Sequence, residues 1–168
     1  MSDNSFLKVK GWHLLAHPLF LDQIEYLIQR VAQLRDKEPR NYSNKNATKR
    51  LAAINDLIWD FIPSDPSNPK YRQGNTLGKE YRHWHKATFF QQYRIFFRYH
   101  SGRKIIIYGW VNDMKTKRAY NSKTDAYRVF ERMLRDKNPP TNWEDLLKES
   151  ELEESRFKKI ATDNFLNE

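Results

Sequence analysis

Two runs, Tyr93-Arg94-Ile95-Phe96-Phe97-Arg98-Tyr99-His100 and, past a Ser101-Gly102 turn, Ile105-Ile106-Ile107-Tyr108-Gly109-Trp110-Val111, decide the fold. Both are short, aromatic and β-branched, which suits strands rather than helices. With a third such run before them, strands are expected over 86–91, 93–100 and 104–111, the last two joined as a hairpin at Ser101-Gly102. Alternation sorts the middle strand into two faces. Tyr93, Ile95, Phe97 and Tyr99 form one, expected to pack on helices. Arg94, Phe96, Arg98 and His100 form the other, expected to be an open basic and aromatic surface.

Helical periodicity flanks the strands. Pro18 sits where a helix can begin, and Ile24, Leu27, Ile28, Val31 and Leu34 repeat at helical spacing until Pro39. A second helix is expected from Ser43–Asn46, with Ala47, Leu51, Ile54, Ile58 and Phe61 as its apolar stripe and Pro63 as its stop. Residues 5–12 fit a short edge strand. Residues 63–85, interrupted by three prolines and two glycines, read as a long loop, a feature often tied to function. Beyond the strands, Ser122 can cap a helix whose stripe is Ala126, Val129, Phe130, Met133 and Leu134. Pro139-Pro140 marks a boundary, after which Thr141 and Glu144 suggest a capping box for a last helix whose packing the pattern leaves open. The expected order is β-α-α-β-β-β-α with a helical tail. That is an α+β domain over 1–140 and an acidic helical extension over 141–168.

Charge separates the same two parts. The chain carries a net charge of +9. Residues 144–168 hold a net −4 and residues 1–143 a net +13. A basic body points to a polyanion such as nucleic acid. The tail is expected either to meet a protein partner or to fold back over the basic face. Cysteine is absent, which removes disulfide frameworks and thiolate metal sites. The first twenty residues lack a secretory pattern and no run approaches 18 apolar residues, so a soluble cytoplasmic protein is the expectation. Neither H-E-x-x-H nor a phosphate-binding glycine motif occurs, and no cofactor is expected. His83 and His85 lack a third ligand, so no metal site is expected either.

Metal-free RNA cleavage needs fewer parts. A base activates the ribose 2′-hydroxyl, cations stabilise the charge that builds on phosphorus, and an acid protonates the leaving 5′-oxygen. Arginine matches two phosphate oxygens and stays charged. A lysine or tyrosine beside arginines loses its proton more readily, because nearby positive charge disfavours it.

Several segments carry a family resemblance. The run from Tyr93 to Tyr99 followed by Ile105 to Asp113 resembles toxins of the YhaV family. So do Lys123-Thr124-Asp125-Ala126-Tyr127, Gly11-Trp12, Ala16-His17-Pro18, Ala47-Thr48-Lys49 and Trp143-Glu144, collinear over roughly residues 9–150. The resemblance implies a RelE-like fold, with two N-terminal helices packed on a small antiparallel sheet and a C-terminal helix after it. It implies an endoribonuclease toxin of a type II toxin–antitoxin system, cutting mRNA on the ribosome. It also implies a PrlF-type antitoxin with an AbrB-like DNA-binding domain, through which the pair reaches its operator DNA.

Carried over by position, Arg94 stands where RelE-like toxins keep a phosphate-binding arginine, with Arg98 as a second contact. Lys86 stands on the preceding strand as a base or phosphate anchor. Arg118 and Tyr120 lie before the last helix, the arginine to stabilise the transition state and the tyrosine to stack or trade a proton. Tyr127 is their rival, placed beside a helical stripe as a core residue. His83, His85 and His100 add acid–base groups, and His85 completes the catalytic candidates. Lys79, Arg82, Arg103, Lys104, Lys115 and Lys117 are candidates to grip the RNA backbone. The competing reading is a non-catalytic nucleic-acid-binding regulator or co-repressor that uses the same basic sheet.

Overall fold

The computed structural model describes residues 7–119 and 122–164. A five-stranded sheet runs β1 (Lys8–Val9), β2 (Trp12–Ala16), β5 (Ile105–Val111), β4 (Tyr93–His100), β3 (His85–Phe89) from edge to edge. The expected meander is present, since β3, β4 and β5 pair antiparallel. The sheet as a whole is mixed, because β2 joins β5 in parallel. β2 was not expected as a strand. Its WHLLA run is buried throughout, so the alternation that advertises a half-exposed strand is missing.

Helices cover both faces. On the first face lie α1 (Pro18–Lys37) and α2 (Asn46–Asp56). α2 runs on through a π-helical turn at Leu57–Phe61 into the single turn α3 (Ile62–Ser64). The chain therefore continues one residue past the expected stop at Pro63. The wider turn bonds Ile62 N–H to Leu57 O, and Pro63 then sits in a first turn, where a missing N–H is harmless. The core on this side joins Phe20, Ile24, Ile54 and Ile58 to Ile95, Phe97, Ile106 and Tyr108.

The second face was expected to be open and is not. α4 (Ala126–Arg135), α5 (Trp143–Glu151) and the loop around Leu77–Trp84 close over it. Phe96 is fully buried there, stacked 4.4 Å from Phe130, with Trp110 parallel to Phe130 at 5.6 Å and Trp84 edge-on at 5.0 Å. Phe96 pairs with Trp110 and Phe97 with Tyr108, so Gly109 is an extra residue in β5. This bulge turns Trp110 onto the same face as Ile107 and Phe96. A Cβ on Gly109 would lie 2.5 Å from the Trp84 ring, so only glycine fits. The 63–85 loop is likewise packed, pinned by buried Gln73, which donates to Tyr81 O and accepts from Leu77 N–H.

Two caps differ from expectation. α4 is capped by Asp125 rather than Ser122, and α5 by Asn142 rather than Thr141. In each case the nearer side chain reaches the free N–H groups of the first turn.

The acidic tail joins both cores. α5 contributes Leu146 and Leu147 to the second. α6 (Glu154–Asn164) crosses to the first, where Phe157 stacks on Trp59 at 5.2 Å. Two of the tail's carboxylates meet the body: Glu149 of α5 bonds the ring of buried His17, and Glu154 of α6 that of His13. Arg156 answers with ion pairs to Asp22 and Glu25 on α1. Among the described residues no helix is long and apolar enough to cross a membrane.

Candidate active site

The site lies at the end of the sheet where β3 ends, β4 begins and β5 finishes. Its organiser is Asn112, a fully buried amide just past β5. Its Oδ1 accepts from the Arg94 backbone N–H at 2.6 Å, and its Nδ2 donates to Gln92 O and Thr116 O. One side chain thus ties the β3–β4 hairpin to the loop that follows β5. Asp113 tightens that loop by accepting from Lys115 N–H and the Thr116 hydroxyl. The chain then returns to the hairpin, where the Arg118 backbone N–H donates to Gln92 O.

Asp125 fixes the Arg118 side chain. Its carboxylate is almost wholly buried, accepts from Tyr127 N–H and Ala119 N–H, and pairs with Arg118 Nη1 at 2.7 Å. A capping carboxylate at a helix N-terminus is favoured by the helix dipole, and here it also orients a guanidinium. The Arg118 guanidinium lies 4.6 Å from the centre of the Tyr127 ring, and that of Arg94 lies 5.7 Å from the same ring. Two cations from distant parts of the chain therefore share one aromatic support. Arg94 reaches Gln91 O through Nη1, and among the described residues no carboxylate pairs with it. Lys86 stands nearby on β3 and donates to Lys70 O. Burial, with a smaller push from Arg94, holds its ammonium below the usual lysine range.

The other sequence candidates fall in different places. Lys115 and Lys117 share the loop with Arg118. Tyr120 lies outside the described residues. His85 is on the first face, its ring 4.8 Å from that of Tyr99 and 5.6 Å from that of Phe97. Burial, helped by Arg98, His83 and Arg72, lowers its pKa to about 4, so it is neutral at pH 7. Arg98 is enclosed by the second core. It donates to Thr141 O and lies over the rings of Trp143 and Trp84. Lys79 and Arg82 precede β3 on the surface, Arg82 donating to Asn75. Arg103 and Lys104 sit in the hairpin at the opposite end of β4, Arg103 near Glu144 and Lys104 over Trp12. Among the described residues no three His, Asp or Glu side chains gather as a metal-binding set.

A family profile described as "Toxin with endonuclease activity, of toxin-antitoxin system" matches residues 14–151. The Ribonuclease toxin YhaV of Escherichia coli (strain K12) is 44% identical over 146 residues, which is 86% of this chain and 95% of that protein. Toxin YhaV of Escherichia coli O157:H7 matches to the same extent. The chain belongs to the YhaV toxin family. No solved structure matches it. The family match runs from within β2 to the end of α5 and so contains Lys86, Arg94, Asn112, Arg118, Asp125 and Tyr127. Among the described elements, β1 and α6 fall wholly outside it.

Asn112 and Asp125 were not among the site candidates read from sequence, and Tyr127 was weighed only as a rival and placed in the core. Asn112 could have been suspected as a polar residue directly following an all-apolar strand. Asp125 was legible as a helix-start residue, but not as the partner of Arg118, since that pairing depends on how the loop folds back. Tyr127 is core, as its spacing suggested, and its ring also supports the two arginines.

Proposed function

We propose that this chain is the toxin of a toxin–antitoxin pair and that the Lys86, Arg94, Arg118 cluster cuts mRNA. The observation that carries this reading is the convergence of Arg94 and Arg118 on the Tyr127 ring, with Lys86 close enough for Arg94, after burial, to push its pKa down. Arg94, with no carboxylate partner among the described residues, is set to take the scissile phosphate. Arg118, held by Asp125, offers a fixed second cation. Lys86 takes the proton from the ribose 2′-hydroxyl, and the 2′-oxygen attacks phosphorus. The bond to the 5′-oxygen breaks, leaving a 2′,3′-cyclic phosphate and a 5′-hydroxyl. Negative charge on the phosphorane oxygens grows as the transition state forms, so preplaced guanidinium groups stabilise it more than the ground state. The 5′-oxygen takes up a proton as it leaves, and the family resemblance makes Tyr120 a candidate to give it or to stack on a base. No step requires a metal or cofactor.

The partner expected from this reading is an antitoxin of the PrlF type, which represses the shared operon together with the toxin, and the substrate is mRNA on the ribosome. The test is induced expression in a bacterial host, wild type beside Arg94→Ala, scoring growth and mRNA integrity. Arrest with mRNA loss, relieved by the substitution, is the expected result. Normal growth with well-expressed wild-type protein would favour the non-catalytic regulator instead.

A further inference from the structure

The hairpin between β3 and β4 has an unusual tip. Phe89 pairs with Tyr93, leaving three loop residues, Phe90, Gln91 and Gln92. Phe90 and Gln91 both adopt left-handed backbone angles, φ 48° and 64°. Glycine, asparagine or aspartate normally fill such positions, and a bulky side chain there is strained. Gln92 N–H closes back onto Phe90 O at 2.6 Å, a three-residue closure around a positive φ that is rare in itself.

Strain of this kind persists only where the surroundings hold it, and here the candidate site does so. Arg94 Nη1 donates to Gln91 O, and Asn112 Nδ2 and the Arg118 backbone N–H both donate to Gln92 O. The groups that place the two arginines are therefore the groups that lock the tip. What the locked tip displays is an aromatic ring. Phe90 is 51% exposed, braced edge-on by Phe89 at 5.5 Å, and Phe89 in turn stacks on Tyr93.

We propose that Phe90 is a base-stacking platform, which takes the face of a nucleobase next to the phosphate that Arg94 grips. The inference rests on the reading of the Arg94 site as an RNA-cleaving centre. A single exposed ring tied to a cationic cluster matches the way single-stranded RNA is held, with cations on phosphate and an aromatic on the base. A protein-docking surface would instead call for a broader apolar patch around the ring. Stacking tolerates any base, so Phe90 supplies affinity and register more than sequence choice.

The experiment measures binding of a short, fully 2′-O-methylated single-stranded RNA, which cannot be cut, across a salt series. Phe90→Gly should weaken binding about tenfold, the size expected for losing one stacked base. Its salt dependence should match wild type, because stacking releases no counterions. Phe90→Trp should bind at least as tightly as wild type. Phe90→Gly should melt no lower than wild type, since glycine relieves the left-handed strain, so lost binding cannot be ascribed to misfolding. Arg94→Ala, in contrast, should bind more weakly with a shallower salt slope. Wild-type binding by Phe90→Gly beside weakened Arg94→Ala would overturn the stacking role alone, as would normal RNA binding with lost neutralisation by the antitoxin. Unchanged affinity and slope in Arg94→Ala would overturn the site and the stacking role together.

Discussion

Arg94 and Arg98 stand on one face of the same strand, each over an aromatic ring and bonded to a backbone carbonyl, but they differ in how far the covering elements close over them. Arg98 lies beneath the start of α5, bonded to Thr141 O and set over two tryptophan rings, and burial lowers its pKa to about 10. Arg94 lies at the first turn of α4, over the Tyr127 ring, and bonds a hairpin carbonyl. Strand alternation treats the two alike. What separates them is where α4 and α5 stop covering the sheet. A guanidinium enclosed by rings and a carbonyl holds elements together, whereas one at the rim with its support behind it can meet a phosphate.

The largest effect that would sharpen this contrast concerns Lys86, on the Arg94 side. Lys86→Arg keeps the positive charge but replaces a side chain whose ammonium is held below the usual lysine range with one that does not release its proton. RNA cleavage should fall by about 100-fold or more, the usual range for losing a general base. The alkaline-rising limb of the rate profile should vanish with it. Retained cleavage with an unchanged profile would reduce Lys86 to a phosphate anchor.

On the other side, Arg98→Ala should act through stability. It removes the bond to Thr141 O and opens space between Trp84 and Trp143, at a cost of about 2 kcal/mol. Denaturant unfolding should show that loss, while cleavage per folded molecule stays at the wild-type level. A folded Arg98→Ala protein with greatly reduced cleavage would erase the distinction between the two arginines.

The smallest effect is a pH dependence that belongs to packing. His85 titrates at about 4 in the folded chain against 6.5 for a free side chain, and His17 is also lowered, chiefly by burial. A depressed histidine pKa means that the unfolded chain binds the proton more readily. Its stabilising contribution is complete above about pH 6.5 and declines as pH falls towards 4. His85→Phe should flatten the decline in melting temperature over that window and leave the cleavage profile near neutrality unchanged. A lost acidic or basic limb in the cleavage profile would return His85 to the chemistry.

Much of this was legible in the sequence. The β3–β4–β5 meander, α1 with Pro18 in its first turn, and the first-face core of Ile95 and Phe97 all follow from local periodicity and breakers. β2 escaped because a strand buried on both faces shows no alternation. The covered second face escaped because the bulge at Gly109 brings Trp110 into line with Phe96, which pattern alone does not show. At the candidate site, Arg94, Lys86 and Arg118 were named from the family resemblance. Asn112, Asp125 and the locked tip at Phe90 depend on contacts between segments 6 to 20 residues apart, which no window of sequence displays.

The most direct test is single-turnover cleavage of one ribosome-bound mRNA by purified wild-type, Arg94→Ala and Arg98→Ala proteins, each with its melting temperature measured. The account predicts at least a roughly 100-fold loss for folded Arg94→Ala, as for removal of a preplaced transition-state donor, and wild-type cleavage by folded but less stable Arg98→Ala. Wild-type cleavage by Arg94→Ala would contradict it.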